Sequence, residues 1–270
     1  MNKNKSSIIK KVFEDLRKSS RKAFIPFITC GFPTLDGFLE LFETLDRNGA
    51  DIIEIGIPFS DPLADGPVIQ ATSKIALENG INTDVVFKSI TKIRRSSDIP
   101  IAIMTYFNTI YHYGPEKFLK NAENAGVNGL IIPDLPLEEF ICHESYFNGV
   151  NIDNIMLASL TSGKDRLKNI AEKSRGFIYC ISVKGVTGIR SGISPEVINF
   201  LKKLRIITSL PLALGFGLSS REQIGEVKDY CDGIIIGSKI LSLILEADNF
   251  RHSLKSVEDF TSTINNLLKS

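Results

Sequence analysis

The feature that most constrains the fold is a regular alternation of short apolar segments with segments of helical periodicity. The apolar segments are rich in Ile and Leu and are bounded by turn-forming residues, which is typical of buried strands. There are eight such segments, at Ala23–Cys30, Asp51–Ile57, Ile99–Tyr106, Gly129–Asp134, Asn154–Leu160, Gly176–Ser182, Leu210–Gly217 and Asp232–Ser238. The helical segments are at Ile8–Ser19, Leu35–Asn48, Asp84–Ser96, Pro115–Ala125, Glu138–Phe147, Lys164–Ser174, Pro195–Leu204, Ser219–Tyr230 and Leu254–Leu268.

Strands that alternate with helices form a parallel sheet covered by helices. Eight units within 270 residues favour a closed barrel over an open, doubly wound sheet. We therefore predict an α/β fold, a (β/α)8 TIM barrel with an extra N-terminal helix and a short helix, SKILSLILE, after strand 8. No linker or low-complexity stretch interrupts the alternation, so residues 1–270 are expected to form a single TIM-barrel domain.

The composition excludes several classes of partner. The net charge is +1, so no strong field favours nucleic acid or an anionic membrane, and the apolar stretches have the length of strands rather than of membrane spans. Four scattered cysteines without a CxxC pair indicate reduced thiols, and the three histidines show no metal-binding spacing. The N-terminus resembles neither a secretory signal nor a transit peptide. We expect no metal and a cytoplasmic location, or the plastid stroma if the chain is plastid-encoded.

The stretch DIIEIGIPFSDPLADGP, residues 51–67, contains the best candidates for chemistry. Period-two alternation places Glu54 on one face of the second strand, and a carboxylate in the interior of a barrel near its catalytic end exchanges protons close to neutral pH. A buried Lys or Arg partner is the structural alternative, although no inward strand position is basic. Asp65 lies in the following loop, where the residue type alone is more typical of a turn or a helix cap.

Glycine-bearing turns follow the last three predicted strands, at residues 185–192, 215–217 and 237–238. Glycines allow main-chain N–H groups to converge on an oxyanion, and the last two strands of such barrels often carry a phosphate site. The alternative is that these glycines only form turns and bind no phosphate. Ser238 is expected to cap the short helix that follows. The segment GFGLSS lacks the third glycine of a dinucleotide-binding motif, so we discount that function.

The segment IEIGIPFSDPLADGPVIQ resembles the signature of the tryptophan synthase α subunit family, and PFITCGFPT, IPDLP, GVTGIR, GFGLS and IGS occur in that family's order and spacing. The resemblance extends from about Ser6 to the last helix. It implies a lyase of tryptophan biosynthesis that cleaves indole-3-glycerol phosphate to indole and glyceraldehyde 3-phosphate. It further implies an α2β2 heterotetramer, with no cofactor in this chain and pyridoxal phosphate in the partner β subunit. Phe177 and Arg221 depart from residues frequent in the family, but neither coincides with an assigned site.

The same resemblance assigns roles to individual residues. Glu54 corresponds to the general acid/base, and Asp65 to the carboxylate that binds the indole N–H. Substrate-binding positions are Phe27, Tyr106, Ile131, Leu157, Tyr179 and Thr187; phosphate-binding positions are Gly188, Gly217, Gly237 and Ser238; partner-facing positions are Pro58, Asp61, Asn108 and Pro136. From the residues alone, Tyr106 and Tyr179 fit equally well as core residues.

Three other functions share parts of this pattern. A stand-alone indole-3-glycerol phosphate lyase would have the same catalytic residues and differs in being fully active without a β subunit. A barrel retained only to regulate a β subunit predicts the loss of Glu54 or Asp65, and both are present. Another phosphate-binding barrel, such as an isomerase, does not account for the long motif after the second strand.

Overall fold

A computed structural model describes residues 7–181, 193–215 and 217–269. Its strands are β1 Ala23–Thr29, β2 Ile53–Gly56, β3 Ile101–Met104, β4 Gly129–Ile131, β5 Asp153–Ile155, β6 Leu157–Ser159, β7 Ile178–Ile181, β8 Leu212–Gly215 and β9 Gly233–Ile236. Its α-helices are α1 Ile8–Lys18, α2 Leu35–Arg47, α3 Pro67–Glu78, α4 Thr83–Ile93, α5 Phe107–Tyr113, α6 Pro115–Ala125, α7 Leu137–His143, α8 Lys164–Lys173, α9 Pro195–Ile207, α10 Arg221–Val227, α11 Ser238–Leu245 and α12 Phe250–Leu268.

The strands form one parallel sheet in the order β5-β4-β3-β2-β1-β9-β8-β7-β6. The two ends of this order, β5 and β6, are joined in sequence through Met156, so the sheet curls into a nearly closed barrel. The prediction of an α/β TIM barrel is confirmed. The predicted fifth strand, Asn154–Leu160, is instead two short strands, because its first half pairs with β4 and its second half pairs with β7.

Helix α1 closes the amino-terminal end of the barrel. Its Ile9 and Phe13 are buried, and the adjacent strands begin with glycines that leave room for them. A Cβ at Gly129 would lie 2.8 Å from Ile9 Cδ1, and a Cβ at Gly233 would lie 3.1 Å from Phe13 Cε1. Substrate access is therefore expected from the opposite end, where the carboxyl ends of the strands meet.

Two helices occur where the sequence pattern predicts loops. Helix α3 follows the Pro- and Asp-rich loop after β2, and α5 follows β3. The buried side of α3 consists of Thr72, Ser73 and Ala76, which do not produce an apolar periodicity. Helix α5 spans only 7 residues and has one fully packed side chain, Ile110. Among the helices of the described ranges, none combines the length and apolarity that a membrane crossing requires.

Candidate active site

Glu54 occupies the centre of the barrel wall on β2. It lies in register with Phe27 of β1 and Ala102 of β3, and its side chain is fully buried. Within the described part of the chain, neither carboxyl oxygen has a hydrogen-bond partner, and the ion pairs of that part do not include this residue. Among the described residues, therefore, no buried Lys or Arg neutralises Glu54, which was the structural alternative.

The surroundings of Glu54 favour its protonated form. Burial, and to a smaller extent the negative charge of Asp65, raise the pKa of Glu54 to about 8 from an ordinary value of 4.5. A carboxyl with this pKa carries a proton at neutral pH and can give it up and take it back without a large free-energy cost.

Asp65 is held in the loop between β2 and α3 and is 6% exposed. Its Oδ2 accepts a hydrogen bond from the hydroxyl of Tyr106 over 3.1 Å. Burial raises the pKa of Asp65 to about 6, and the bond from Tyr106 opposes that rise. The pKa values of the two carboxyls therefore differ, and such a difference allows one group to hold a proton while the other is charged.

Tyr106 links the loops that follow β2 and β3. Its hydroxyl oxygen accepts the main-chain N–H of Ala64 over 3.0 Å while its proton goes to Asp65. The ring of Phe59 stacks on it, with centroids 5.0 Å apart. Burial and the charge of Asp65 raise the pKa of Tyr106, so the hydroxyl remains a donor.

Phe27 of β1 lies beside both β2, which carries Glu54, and the turn at Gly237. A Cβ at Gly56 would lie 2.5 Å from Phe27 Cζ, and a Cβ at Gly237 would lie 3.0 Å from Phe27 Cβ. A side chain at position 56 would therefore displace the Phe27 ring, and one at position 237 would press tightly on it; neither glycine has a positive φ. The Phe27 side chain thus packs against both Gly56 of β2 and the turn at the start of α11.

Tyr179 lies across the barrel on β7, in register with Leu157 of β6. It is buried, and a Cβ at Gly215 would lie only 2.6 Å from its hydroxyl oxygen. Burial, followed by the charges of Glu54 and Asp65, raises the pKa of Tyr179 well above its ordinary value, so its hydroxyl remains protonated. An apolar wall that includes Ile131 completes this side of the barrel.

Strand register adds one residue to this wall that the sequence did not indicate. Met104 is buried and lies between Gly56 of β2 and Ile131 of β4. Because adjacent residues in a parallel register point to the same face, Met104 shares the face of Ile131. A pattern of apolar residues cannot distinguish this position from other core positions.

The glycine turns expected to bind phosphate are partly described. Gly217 follows β8, has a φ of 81°, and is exposed. Helix α11 starts at Ser238, and Gly237 is its N-cap. The expectation that Ser238 caps this helix is wrong, because the hydroxyl lies within the first turn and the N-cap position has no side chain. The first N–H groups of a helix lack intrahelical partners, which suits an anion. Thr187 and Gly188 lie outside the described residues.

The positions expected to face a partner subunit are all on loops at the carboxyl ends of β2, β3 and β4 or at the helix starts that follow them. Asp61, Asn108 and Pro136 are exposed, whereas Pro58 is buried. Leu63 and Tyr111, which the sequence did not single out, are 88% and 63% exposed on the same loop and helix. Both side chains lie at the end of the barrel where the expected partner-facing positions are found.

Comparisons with known proteins agree with this arrangement. A family model described as tryptophan synthase alpha chain matches residues 13–269. The tryptophan synthase alpha chain of Caldanaerobacter subterraneus subsp. tengcongensis is 44% identical over 256 residues, which cover 95% of this chain and 97% of that protein. The corresponding chain of Carboxydothermus hydrogenoformans is 43% identical over 264 residues, covering 98% and 99%.

Solved structures show the same relationship. The structure of Mycobacterium tuberculosis tryptophan synthase has a TM-score of 0.89 at 29% identity and covers 98% of this chain and 100% of that chain. The tryptophan synthase subunit alpha from Legionella pneumophila has a TM-score of 0.87 at 31% identity, with coverage of 96% and 97%. The resemblance seen in the sequence is confirmed, and the chain belongs to the tryptophan synthase alpha chain family.

Proposed function

We propose that Glu54 and Asp65 carry out the lyase reaction of this family, the retro-aldol cleavage of indole-3-glycerol phosphate to indole and glyceraldehyde 3-phosphate. The observation that supports this assignment is a pair of buried carboxyls with separated pKa values, about 8 for Glu54 and about 6 for Asp65. The alpha chains of the family work without a cofactor, and pyridoxal phosphate belongs to the beta subunit.

The bond between C3 of indole and the glycerol side chain breaks only if C3 first gains a proton. A hydroxyl proton of the side chain must also leave so that the aldehyde can form. In our proposal Glu54, protonated in the resting enzyme, donates to C3, and its carboxylate then takes the hydroxyl proton. One group with a pKa near the working pH can perform both transfers, each worth about 10²–10⁴-fold in rate.

Protonation at C3 places positive charge on the ring nitrogen. We assign Asp65 to accept the indole N–H, because an ionised carboxylate stabilises the charge as it develops. Tyr106 supports this role through its bond to Asp65 Oδ2, since a hydrogen bond to the charged form favours ionisation.

Substrate binding is divided between the two halves of the barrel. We propose that the indole ring lies among a set of apolar and aromatic side chains together with one loop residue, and that the phosphate lies at the glycine turns. The first set is Phe27, Tyr106, Ile131, Leu157, Tyr179 and Thr187; the second is Gly188, Gly217, Gly237 and Ser238. Phe27 fits the boundary between them because it adjoins both Gly56 and Gly237.

The family implies a beta-subunit partner. We propose an α2β2 assembly in which Asp61, Asn108 and Pro136 contribute to the contact, supported by their exposure and by that of Leu63 on the loop after β2 and Tyr111 on α5. Pro58 is buried in the single chain and belongs to this proposal only as support beneath that surface. We further propose that residues 1–270 act as one domain and that the chain works in the cytoplasm, since the relatives named above are bacterial.

An indole-release assay tests the proposal. Purified chain and its Glu54→Gln variant are supplied with indole-3-glycerol phosphate, with and without a beta subunit. We expect strong activation by the beta subunit, and a loss of about 10²–10⁴-fold on substitution with substrate still bound. Near wild-type release by Glu54→Gln contradicts the catalytic assignment, and full activity without a beta subunit identifies a stand-alone lyase instead.

A further inference from the structure

Helix α3, which the sequence pattern did not predict, begins immediately after the loop that carries Asp65. Gly66 is its N-cap and Pro67 its first residue. The side-chain amide of Gln70, in the first turn, donates from Nε2 to the main-chain carbonyl of Asp65 over 2.9 Å. The main chain of Asp65 is therefore attached directly to α3, and any shift of this helix moves the carboxylate.

A buried pair of hydroxyls attaches α3 to the barrel. Thr72 Oγ1 of α3 and Thr29 Oγ1 of β1 are 2.8 Å apart, and both side chains are 1% exposed or less. Thr72 also donates to the carbonyl of Ile69 over 3.0 Å. Because a hydroxyl has a single proton, Thr29 is the donor in the pair and Thr72 the acceptor.

Strand β1 is in turn the direct neighbour of the strand that carries Glu54. Phe27 is in register with Glu54, and Thr29, two residues further, is in register with Gly56. A continuous series of contacts therefore connects the two carboxyls. The β2–β1 ladder links the strand of Glu54 to Thr29, the hydroxyl pair links Thr29 to Thr72 of α3, and the bond from Gln70 links α3 to Asp65. In this series, the hydrogen bond between Thr29 and Thr72 joins the sheet to the helix.

We propose that Thr72, through its hydrogen bond with Thr29, is a positioning residue that sets the placement of Asp65 relative to Glu54. The proposal rests on the catalytic roles proposed above for these two carboxyls. A threonine at this position does not touch the reacting atoms; it acts by fixing the helix from which the Asp65 loop is held.

The test is the Thr72→Val variant, which keeps the shape of the side chain and removes the hydroxyl, assayed for indole release with a beta subunit bound. We expect kcat to fall about tenfold with KM within about twofold of wild type, because a misplaced catalytic group weakens transition-state contacts more than substrate binding. Thr72→Ser retains the hydroxyl and is expected to keep most of the wild-type kcat. Wild-type kcat in Thr72→Val, or an equal loss in Thr72→Ser, overturns the proposal.

Thr261 provides the matched control. It is a fully buried threonine of α12 whose hydroxyl has no hydrogen-bond partner within the described ranges. The Thr261→Val variant therefore makes the same chemical change without breaking a bond, and kcat is expected to stay at the wild-type value. A loss in kcat equal to that of Thr72→Val would show a general response to the substitution and overturn the proposal.

A double variant separates positioning from a general structural effect. In an Asp65→Ala background, Thr72→Val should cause no further loss of kcat, since no carboxylate remains to be positioned. A further loss of about tenfold there overturns the proposal. If Asp65→Ala itself retains wild-type kcat, the proposed role of Asp65 is wrong, and this inference fails with it. If Asp65→Ala loses most of its kcat while Thr72→Val loses none, only this inference is overturned.

If Thr72→Val does not fold, Thr29→Val replaces it, because it breaks the same hydrogen bond from β1. The same changes in kcat and KM are expected for Thr29→Val, and the same results would overturn the proposal.

Discussion

Tyr106 and Asp65 lie 41 positions apart in sequence, yet the hydroxyl of the first donates to Oδ2 of the second over 3.1 Å. The same hydroxyl oxygen accepts the N–H of Ala64, so one atom binds both the main chain and the Asp65 side chain of the loop between β2 and α3. The bond opposes the rise in the pKa of Asp65 that burial causes. With a pKa of about 6, Asp65 is mostly ionised at neutral pH, whereas Glu54, with a pKa of about 8, is mostly protonated.

Replacing Tyr106 by Phe removes this donor. We expect the pKa of Asp65 to rise, so the acidic limb of the pH profile of kcat shifts to higher pH and kcat at pH 7 falls roughly tenfold. The profile of indole release between pH 5 and 9 measures both effects. A limb at the wild-type pH, with unchanged kcat, contradicts the role given to the bond.

Tyr113→Phe is the control for this substitution. Tyr113 also donates its hydroxyl to a carboxylate, Asp84, over 2.5 Å, but the pair lies on the outer helices α5 and α4. The variant removes an equivalent bond that involves neither Asp65 nor Glu54. We expect its pH profile to match the wild type.

The sequence was sufficient for the barrel and for Glu54, because both depend on local pattern. Alternation with period two determines that Glu54 shares the face of Ile52 and Gly56, and the order of strands and helices determines the closed sheet. The split of the fifth strand at Met156 was not predictable, since it depends on which neighbouring strand each half pairs with.

The residues that hold Asp65 in place could not be predicted from the sequence, for a related reason. Its partners Tyr106, Gln70 and, through α3, Thr29 are contributed by three different elements. Nothing in the residue types marks Thr72 as a buried contact, because threonine on a helix is usually exposed. Contacts of this kind follow from how the helices pack, which local periodicity does not specify.

Gly217→Asp tests the proposed phosphate site. The φ of 81° favours glycine, and a carboxylate at this exposed turn would repel the phosphate. We expect KM for indole-3-glycerol phosphate to rise about tenfold or more, with a smaller change in kcat. An unchanged KM places the phosphate elsewhere.

Gly149→Asp controls for backbone strain. Gly149 has a similar φ of 86°, and a Cβ there would meet no atom within 4 Å. It precedes β5, at the end of the barrel away from the glycine turns. Gly149→Asp introduces the same charge and a similar backbone strain as Gly217→Asp. If its KM is normal, the increase in KM of Gly217→Asp is due to repulsion of the phosphate.

Arg94 is expected to matter for stability and not for chemistry. Its guanidinium donates to the carbonyls of Gly126, Ser97 and Ile99 and to the side chain of Asn128, across the start of β3. Lysine cannot reproduce this planar set of donors. Arg94→Lys should lower the free energy of unfolding by about 2 kcal/mol in a urea titration, while kcat changes less than about twofold. A large loss of kcat in folded protein contradicts this assignment.

The buried carboxyl of Glu54 should also make stability depend on pH. Its pKa is about 8 in the folded chain and near 4.5 when unfolded, so between these values the folded state binds more protons than the unfolded state. The stabilising effect is complete below pH 4.5 and is lost as pH rises through 8, because the slope of unfolding free energy with pH follows the difference in bound protons.

Glu54→Gln removes this titration. We therefore expect the variant to gain stability relative to wild type as pH rises from 5 to 8, by an amount on the order of a few kcal/mol, measured by urea unfolding at each pH. Glu116→Gln, which removes an exposed carboxylate of α6, is the control, and its curve should run parallel to that of wild type. If the difference between Glu54→Gln and wild type stays constant across this range, Glu54 does not titrate as a buried group, and its assignment as the acid/base of the reaction loses its physical basis.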